Sequence, residues 1–328
     1  MTSSRRTRFL PALLALPLAL TACGGAPEAE SKEAGGDHYP VEPTSCGFTS
    51  TISAPPERAV TMNQGATEVM LSLGLEDSMA GTAYLDDAVP EKWRAAYDSV
   101  EVLSKEYPDN ETLLKAEPDF VYGSYASAFG DEAAGPQDEL EKLGIGSFLS
   151  LFGCDENQPS ADVSFDSVWK EIEVVADVFD VEDRAEALQD EQEKVLEELA
   201  ESRPGDGLEV FWYDSGDRTA FAGAGEGGPQ LVLEAVGATN LFADLEGGWA
   251  DVSWERVVAA DPDVIVLADA SWSTAEDKIA MLEKDPVLKD LRAVKAEAYV
   301  VLPFSETTPG VRLADGAVSL GKQLAELG

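Results

Sequence analysis

Glu111-Thr-Leu-Leu-Lys-Ala-Glu-Pro-Asp-Phe-Val121 and Glu255-Arg-Val-Val-Ala-Ala-Asp-Pro-Asp-Val-Ile265 are two copies of one pattern. In each, a Glu opens a short apolar-periodic segment, an Ala stands five residues on, and an acidic residue then precedes Pro-Asp and a run of strand composition. Proline cannot continue a helix, so each copy reads as helix, break and buried strand. Two lobes of similar construction follow, each presenting a Glu near a helix start.

Outward from the first copy, strands and helices alternate. Arg58 to Met62 reads as a strand, Gln64 to Leu73 as a helix closed by Gly74, and Ser78 to Ala83 as a second strand. Pro90 opens a helix to Tyr97, Asn110 is the expected N-cap before Glu111, and a helix from Gln137 leads to a strand over Ile145 to Leu151. This alternation indicates a parallel sheet covered by helices. It lapses in the middle, where Phe165, Val168, Trp169, Ile172, Val175, Ala176 and Phe179 form one apolar face and a second helix runs from Glu182 to Ser202. Two successive helices suit a connection between lobes. Alternation resumes at Gly207 and continues through the second copy to a closing helix near Val311 to Leu327.

The first forty-five residues belong to neither lobe. Arg5, Arg6 and Arg8 precede an apolar run, Phe9 to Leu20, with the layout of an export signal over residues 1–22. The run ends in Leu20-Thr21-Ala22-Cys23-Gly24, which resembles the bacterial lipobox and implies acylation of Cys23. The export route stays open between the general and the twin-arginine systems. The rest of residues 23–45, rich in Gly, Pro, Glu and Ser, is expected to be a disordered tether. The chain is therefore expected at the extracytoplasmic face of the cell membrane, held by lipid alone.

The formal net charge is −40, and loss of a leader with three Arg and no acid leaves −43. Such a surface repels nucleic acid, which is excluded as a partner. His38, the only histidine, falls in the tether, so no His-dependent triad or His-ligated metal site is expected in the folded part. With Cys23 reserved for lipid, Cys46 and Cys154 remain, and an even remainder in an exported protein suggests a disulfide.

Ligands of open parallel sheets bind at the carboxyl ends of the strands. Those ends, with neighbouring loops, carry Asn63, Gln64, Tyr84, Tyr107, Tyr125, Trp212, Tyr213, Arg218, Trp249, Trp272, Glu306 and Arg312, expected to bind the ligand. Their aromatic weight suggests flat walls for a bulky molecule. Cations are few, with Lys105, Arg218 and Arg312 the candidates, so the ligand is expected to be neutral, zwitterionic or modestly charged. Gly223 to Gly228 fits G-x-G-x-x-G, but Glu226 would face a pyrophosphate and Pro229 opens the helix. A flexible loop at the cleft border is the better reading.

Arg58-Ala-Val-Thr-Met62, Ala66-Thr-Glu68, Leu73-Gly-Leu75, both Pro-Asp strands, Gly237-Ala-Thr-Asn240 and Val252-Ser-Trp-Glu255 together resemble the substrate-binding lipoproteins of ABC importers, in the helical-spine class serving iron-siderophores, haem and cobalamin. The similarity runs from about residue 46 to 328. The expected fold is α/β, two Rossmann-like lobes with mostly parallel sheets (46–163 and 205–328), a helical linker over 164–204 and the ligand cleft between the lobes. The resemblance implies that Glu111 and Glu255 dock on arginines of the permease. The expected ligand is a bulky metal chelate bound whole, a ferric siderophore of hydroxamate type first and cobalamin or haem second, with no protein metal ligand, no resident cofactor and no enzymatic activity. A monomer is expected. Two other classes stay open: a cell-surface hydrolase using Asp214, Asp217 or Glu306, and a lipid-anchored adhesion or sensor module without docking glutamates.

Overall fold

A computed structural model describes residues 38–154 and 161–327. The expected signal peptide and Cys23 lie outside the described residues.

A small antiparallel ribbon, β1 (Thr44–Ser45) and β2 (Phe48–Thr49), leads into the first lobe. There β3 (Ala59–Met62), α1 (Gln64–Ser72), β4 (Met79–Ala83), α2 (Glu91–Tyr97), β5 (Val102–Ser104), α3 (Asn110–Lys115), β6 (Phe120–Gly123), α4 (Gln137–Lys142) and β7 (Gly146–Leu149) follow one another. The sheet order is β5-β4-β3-β6-β7 and every pair is parallel. The chain winds one way from β3 to β5 and then crosses back to place β6 on the other side of β3. The loops after β3 and β6 diverge at that switch point and open a crevice.

Two helices cross to the second lobe, α5 (Phe165–Phe179) and α6 (Glu182–Ser202). A reciprocal Ser164–Ser167 capping box starts α5, and Asp180 in the left-handed conformation ends it. The apolar stripe of α5 is buried, whereas α6 buries little beyond Ala185 and Gln192.

The second lobe comprises β8 (Glu209–Ser215), β9 (Ala220–Gly223), α7 (Gly228–Ala235), β10 (Thr239–Asn240), β11 (Trp249–Val252), α8 (Trp254–Ala260), β12 (Val264–Asp269), α9 (Ala275–Lys284), α10 (Arg292–Lys295), β13 (Tyr299–Pro303) and α11 (Leu313–Leu327). Its sheet runs β11-β9-β8-β12-β13, with β10 pairing the start of β8. β8, β10, β12 and β13 pair in parallel, whereas β9 runs the other way and pairs antiparallel with both β8 and β11. The sequence reading has no strand at β9 or β11, because Ala220–Gly223 and Trp249–Val252 are four-residue segments beside Gly-rich loops.

The repeated stretch is built alike in both lobes. Glu117 and Asp261, equivalent residues, take positive φ of 49° and 47° and end α3 and α8. Asp119 and Asp263, the Pro-Asp aspartates, then reach back to the neighbouring strand. The Asp119 carboxylate accepts from the Glu57 and Arg58 amides at 2.8 and 2.9 Å, and Asp263 accepts from the Glu209 amide at 3.0 Å. Each helix end is also closed by an arginine. Arg58 donates to the carbonyls of Ala116 and Glu117, and Arg292 to the carbonyl of Asp261.

Four sequence expectations change here. The N-cap of α3 is Asp109, which accepts from the Thr112 amide at 2.8 Å; Asn110 donates instead to the Ala134 carbonyl. The tether does not extend to residue 45. Tyr39 is buried and its hydroxyl donates to the Val178 carbonyl at 2.8 Å, while Val41 bridges Ile52. His38 belongs to the folded part as well, its Nε2 3.0 Å from the Asp177 carbonyl beside Asp180 and Glu182. Finally, the loop between β9 and α7 is tightly packed: a Cβ on Gly225 would fall on the Ala243 carbonyl, and one on Gly228 on that of Thr307. The Cys46–Cys154 disulfide is present and closes 108 residues of chain. Among the described residues no helix is long and apolar enough to cross a membrane.

Candidate functional site

A cleft of 410 Å³ lies between the carboxyl ends of the two sheets. The first lobe contributes Gln64 and Gly65 after β3, Asp86 after β4, Ser124 and Tyr125 after β6, and Ser150 and Phe152 after β7. The second lobe contributes Asp214 at the end of β8, Phe221 of β9, Trp249 of β11, Trp272 after β12, and Phe304, Ser305 and Arg312 after β13. Glu171 of α5 closes the wall from the spine. Tyr125, Phe221 and Trp272 keep between 38% and 56% of their surface exposed, so the cleft presents flat apolar faces to solvent.

One charged cluster spans the lobes at the cleft wall. Arg312, 4% exposed, lies 3.3 Å from Glu68 and 3.4 Å from Asp87 of the first lobe, and 2.6 Å from Glu306 of its own. Ser305 donates to Asp87 through both its amide and its hydroxyl, at 2.9 and 2.7 Å. Gln64 completes the ring by donating to Glu68 and Asp87, each at 2.8 Å, and accepting from the amides of Asp86 and Asp87. One guanidinium thus serves three carboxylates. Burial pushes Glu68 up to about 7, against the opposing pull of Arg312 and Gln64.

Three further carboxylates have different surroundings. Glu171 is buried but accepts from the Tyr122 hydroxyl, the Ser150 hydroxyl at 2.7 Å and the Leu151 amide at 2.9 Å; burial still raises its pKa. Asp214 is 4% exposed and its Oδ1 has no hydrogen-bond partner among the described residues. Burial raises its pKa, with Lys278 and Ser215 opposing. Asp86 is pushed up to about 6 by burial and by neighbouring Asp87, and no cation opposes that shift.

The expected ligand residues divide into distinct groups. Gln64, Tyr125, Trp249, Trp272 and Arg312 line the cleft. Asn63, Tyr84 and Tyr107 form a layer beside it: Tyr107 donates to Asn63 Oδ1 at 2.8 Å and packs edge-on against Tyr84 at 4.8 Å. Glu306 stands behind Arg312 as its counter-ion. Trp212 and Tyr213 are a correction, since they are at most 1% exposed in the interior of the second lobe. Both faces of β8 are covered, and its next residue, Asp214, is the one that reaches the cleft. Arg218 is a second correction; it is exposed in the β8–β9 turn and does not line the cleft, and neither does exposed Lys105. Trp249 lies on a strand rather than in a loop. The sequence reading passed over Asp86, Phe221 and Phe304 and named Asp214 only for the hydrolase class, because other aromatic side chains near the strand ends drew the weight.

Glu111 and Glu255 are exposed in the first turns of α3 and α8, behind the N-caps Asp109 and Ser253. They occupy equivalent places in the two lobes.

The family model described as periplasmic binding protein matches residues 60–306. The chain belongs to the periplasmic binding protein family. This periplasmic binding protein is 24% identical over 329 residues to an uncharacterised ABC transporter substrate-binding lipoprotein of Bacillus subtilis, covering 98% of this chain and 97% of the relative. It is 26% identical over 299 residues to a cobalamin-binding protein of Halobacterium salinarum, covering 82% of this chain and 71% of the relative. Among solved structures it resembles a periplasmic binding protein from Veillonella parvula, with a TM-score of 0.75, 29% identity, and 87% and 97% of the two chains covered.

Proposed function

We propose that this chain is the extracytoplasmic substrate-binding lipoprotein of an ABC importer, which captures a bulky metal chelate whole and delivers it to the permease. The observation that carries this reading is the interlobe cleft, walled by exposed aromatic faces from both lobes at their switch points. A lipid-anchored relative that aligns over nearly the full length supports the location and the importer class.

Within that class, a hydroxamate-type ferric siderophore is the first candidate. Tri-anionic catecholate chelates need clustered arginines, and here the one lining arginine is already shared among three carboxylates. Cobalamin is the second candidate, favoured by the name of the Halobacterium relative and by the aromatic walls. Of the carboxyls named for a hydrolase, Glu306 is tied to Arg312 at 2.6 Å and Asp217 is exposed in the β8–β9 turn, outside the cleft lining, which leaves Asp214 without either as a partner.

Intrinsic tryptophan fluorescence and thermal-shift titrations against ferric hydroxamates, cobalamin and haem test the proposal. Saturable binding with the chelate recovered unchanged is expected; no response to any of them would remove the chelate reading.

A further inference from the structure

We infer that the cleft selects a chelate bearing a positively charged organic group, with Asp214 and Asp86 receiving its ammonium or guanidinium donors from opposite lobes. This deepens the proposed function and rests on it.

The charge inventory of the cleft carries the inference. Among the described residues, Glu68, Asp86, Glu171, Asp214 and Glu226 line it, against one cation, Arg312. Arg312 already faces Glu68, Asp87 and Glu306 through its two terminal nitrogens, and only its Nε has no hydrogen-bond partner among the described residues. Lys278, the nearest cation to Asp214, is buried behind the wall, where its Nζ donates to the carbonyls of Ala268 and Ser273 and makes no ion pair with Asp214 among the described residues. Of the lining carboxylates, Glu171 has three donors and Glu226 accepts from the Gly247 amide at 2.8 Å.

Asp86 and Asp214 stand apart from these. Asp86 has neither a hydrogen bond nor an ion pair on its carboxylate among the described residues, and Asp214 leaves Oδ1 unpartnered although the residue is more than nine-tenths buried. A buried acceptor without a donor is costly, so a ligand that brings one gains that energy back. The exposed faces of Tyr125 and Trp272 point the same way, since aromatic faces attract cations and repel anions. An anionic chelate, such as a haem with two propionates, would meet this wall with like charge.

One chelate skeleton in three charge states gives the test. Ferrioxamine B, a linear ferric trihydroxamate with a terminal ammonium, is titrated beside its neutral N-acetyl and anionic N-succinyl derivatives, following tryptophan fluorescence. The ammonium form is expected to bind tightest, with acetylation weakening it roughly 10-fold to 100-fold, the worth of a charge-assisted hydrogen bond. Asp86→Asn and Asp214→Asn are each expected to shrink that ratio, and an undiminished ratio in both variants overturns the assignment of the two carboxylates. Asp86 is half-buried and carries no structural bond on its side chain, so Asp86→Asn keeps the test valid if Asp214→Asn fails to fold. Equal affinity for the three, or tightest binding of the succinylated form, overturns the charge inference and leaves the importer reading standing. If none of the three binds but cyanocobalamin or haem does, the inference fails on its chelate class while the importer reading survives; no binding to any probe removes both.

Discussion

At the residue scale, the buried carboxyl of Glu68 beside Arg312 makes the stability of the fold depend on pH. Glu68 has an ordinary pKa of 4.5 in the unfolded chain and is raised to about 7 in the folded one, chiefly by burial. The native state therefore holds the proton more tightly, and the stabilisation is complete below pH 4.5 and lost as pH rises through 7. At about 1.4 kcal/mol per pKa unit the swing is about 3 kcal/mol, with Asp86 adding in the same direction. Thermal melts at pH 5.5 and 7.5 are expected to show the higher Tm at pH 5.5. Relief of self-repulsion in a chain of charge −40 acts the same way, so Glu68→Gln isolates the residue. The Tm difference should shrink in that variant, and an unchanged difference would place the titration elsewhere. Sequence made Arg312 visible as a rare cation near a strand end. It could not show Glu68, 244 residues away, because a buried ion pair leaves no local periodicity. Trp212 and Tyr213 misled for the converse reason: aromatic content marks a covered strand as readily as a binding wall.

At the element scale, the repeated stretch works as a clamp. Its acidic residue ends the helix in the left-handed conformation, its proline forbids continuation, and its aspartate accepts the first amides of the adjacent parallel strand. The parallel sheet is registered in both lobes by the same device. Asp263 does more than Asp119, because it also pairs with Arg292 at 2.6 Å, and Arg292 in turn closes α8. Asp263→Ala is expected to lower stability in chemical denaturation by about 1–2 kcal/mol, and Asp119→Ala by about 1 kcal/mol. Equal and negligible losses would mean that strand packing alone sets the register. The helix–Pro–Asp–strand order, the spine helices and most parallel strands were legible in the sequence because each is a local pattern. The antiparallel β9 and its neighbour β11 were not, since four-residue strands flanked by glycine carry too little periodicity to register.

At the scale of the whole molecule, each lobe has two distinct surfaces. The cleft is lined mainly at the carboxyl ends of the strands, whereas the repeat presents Glu111 and Glu255 at exposed helix starts that take no part in lining it. Each glutamate gains from its helix N-terminus through the macrodipole, by about 0.3–1 kcal/mol, so some loss of stability on substitution is expected whatever else it does. A docking role predicts something that a helix-terminus role does not. If both glutamates meet cations of the permease, Glu111→Ala with Glu255→Ala should abolish uptake of the chelate into cells while the purified variant binds that chelate with unchanged affinity. Each single variant should fall between, because one lobe still engages. A Gln at either position keeps the side-chain length and loses the charge, and it should behave as the Ala variant does if charge is what the partner reads. Uptake by the double variant at the wild-type rate would reduce both residues to helix ends. A parallel fall in affinity and uptake would instead show that these surfaces communicate with the cleft.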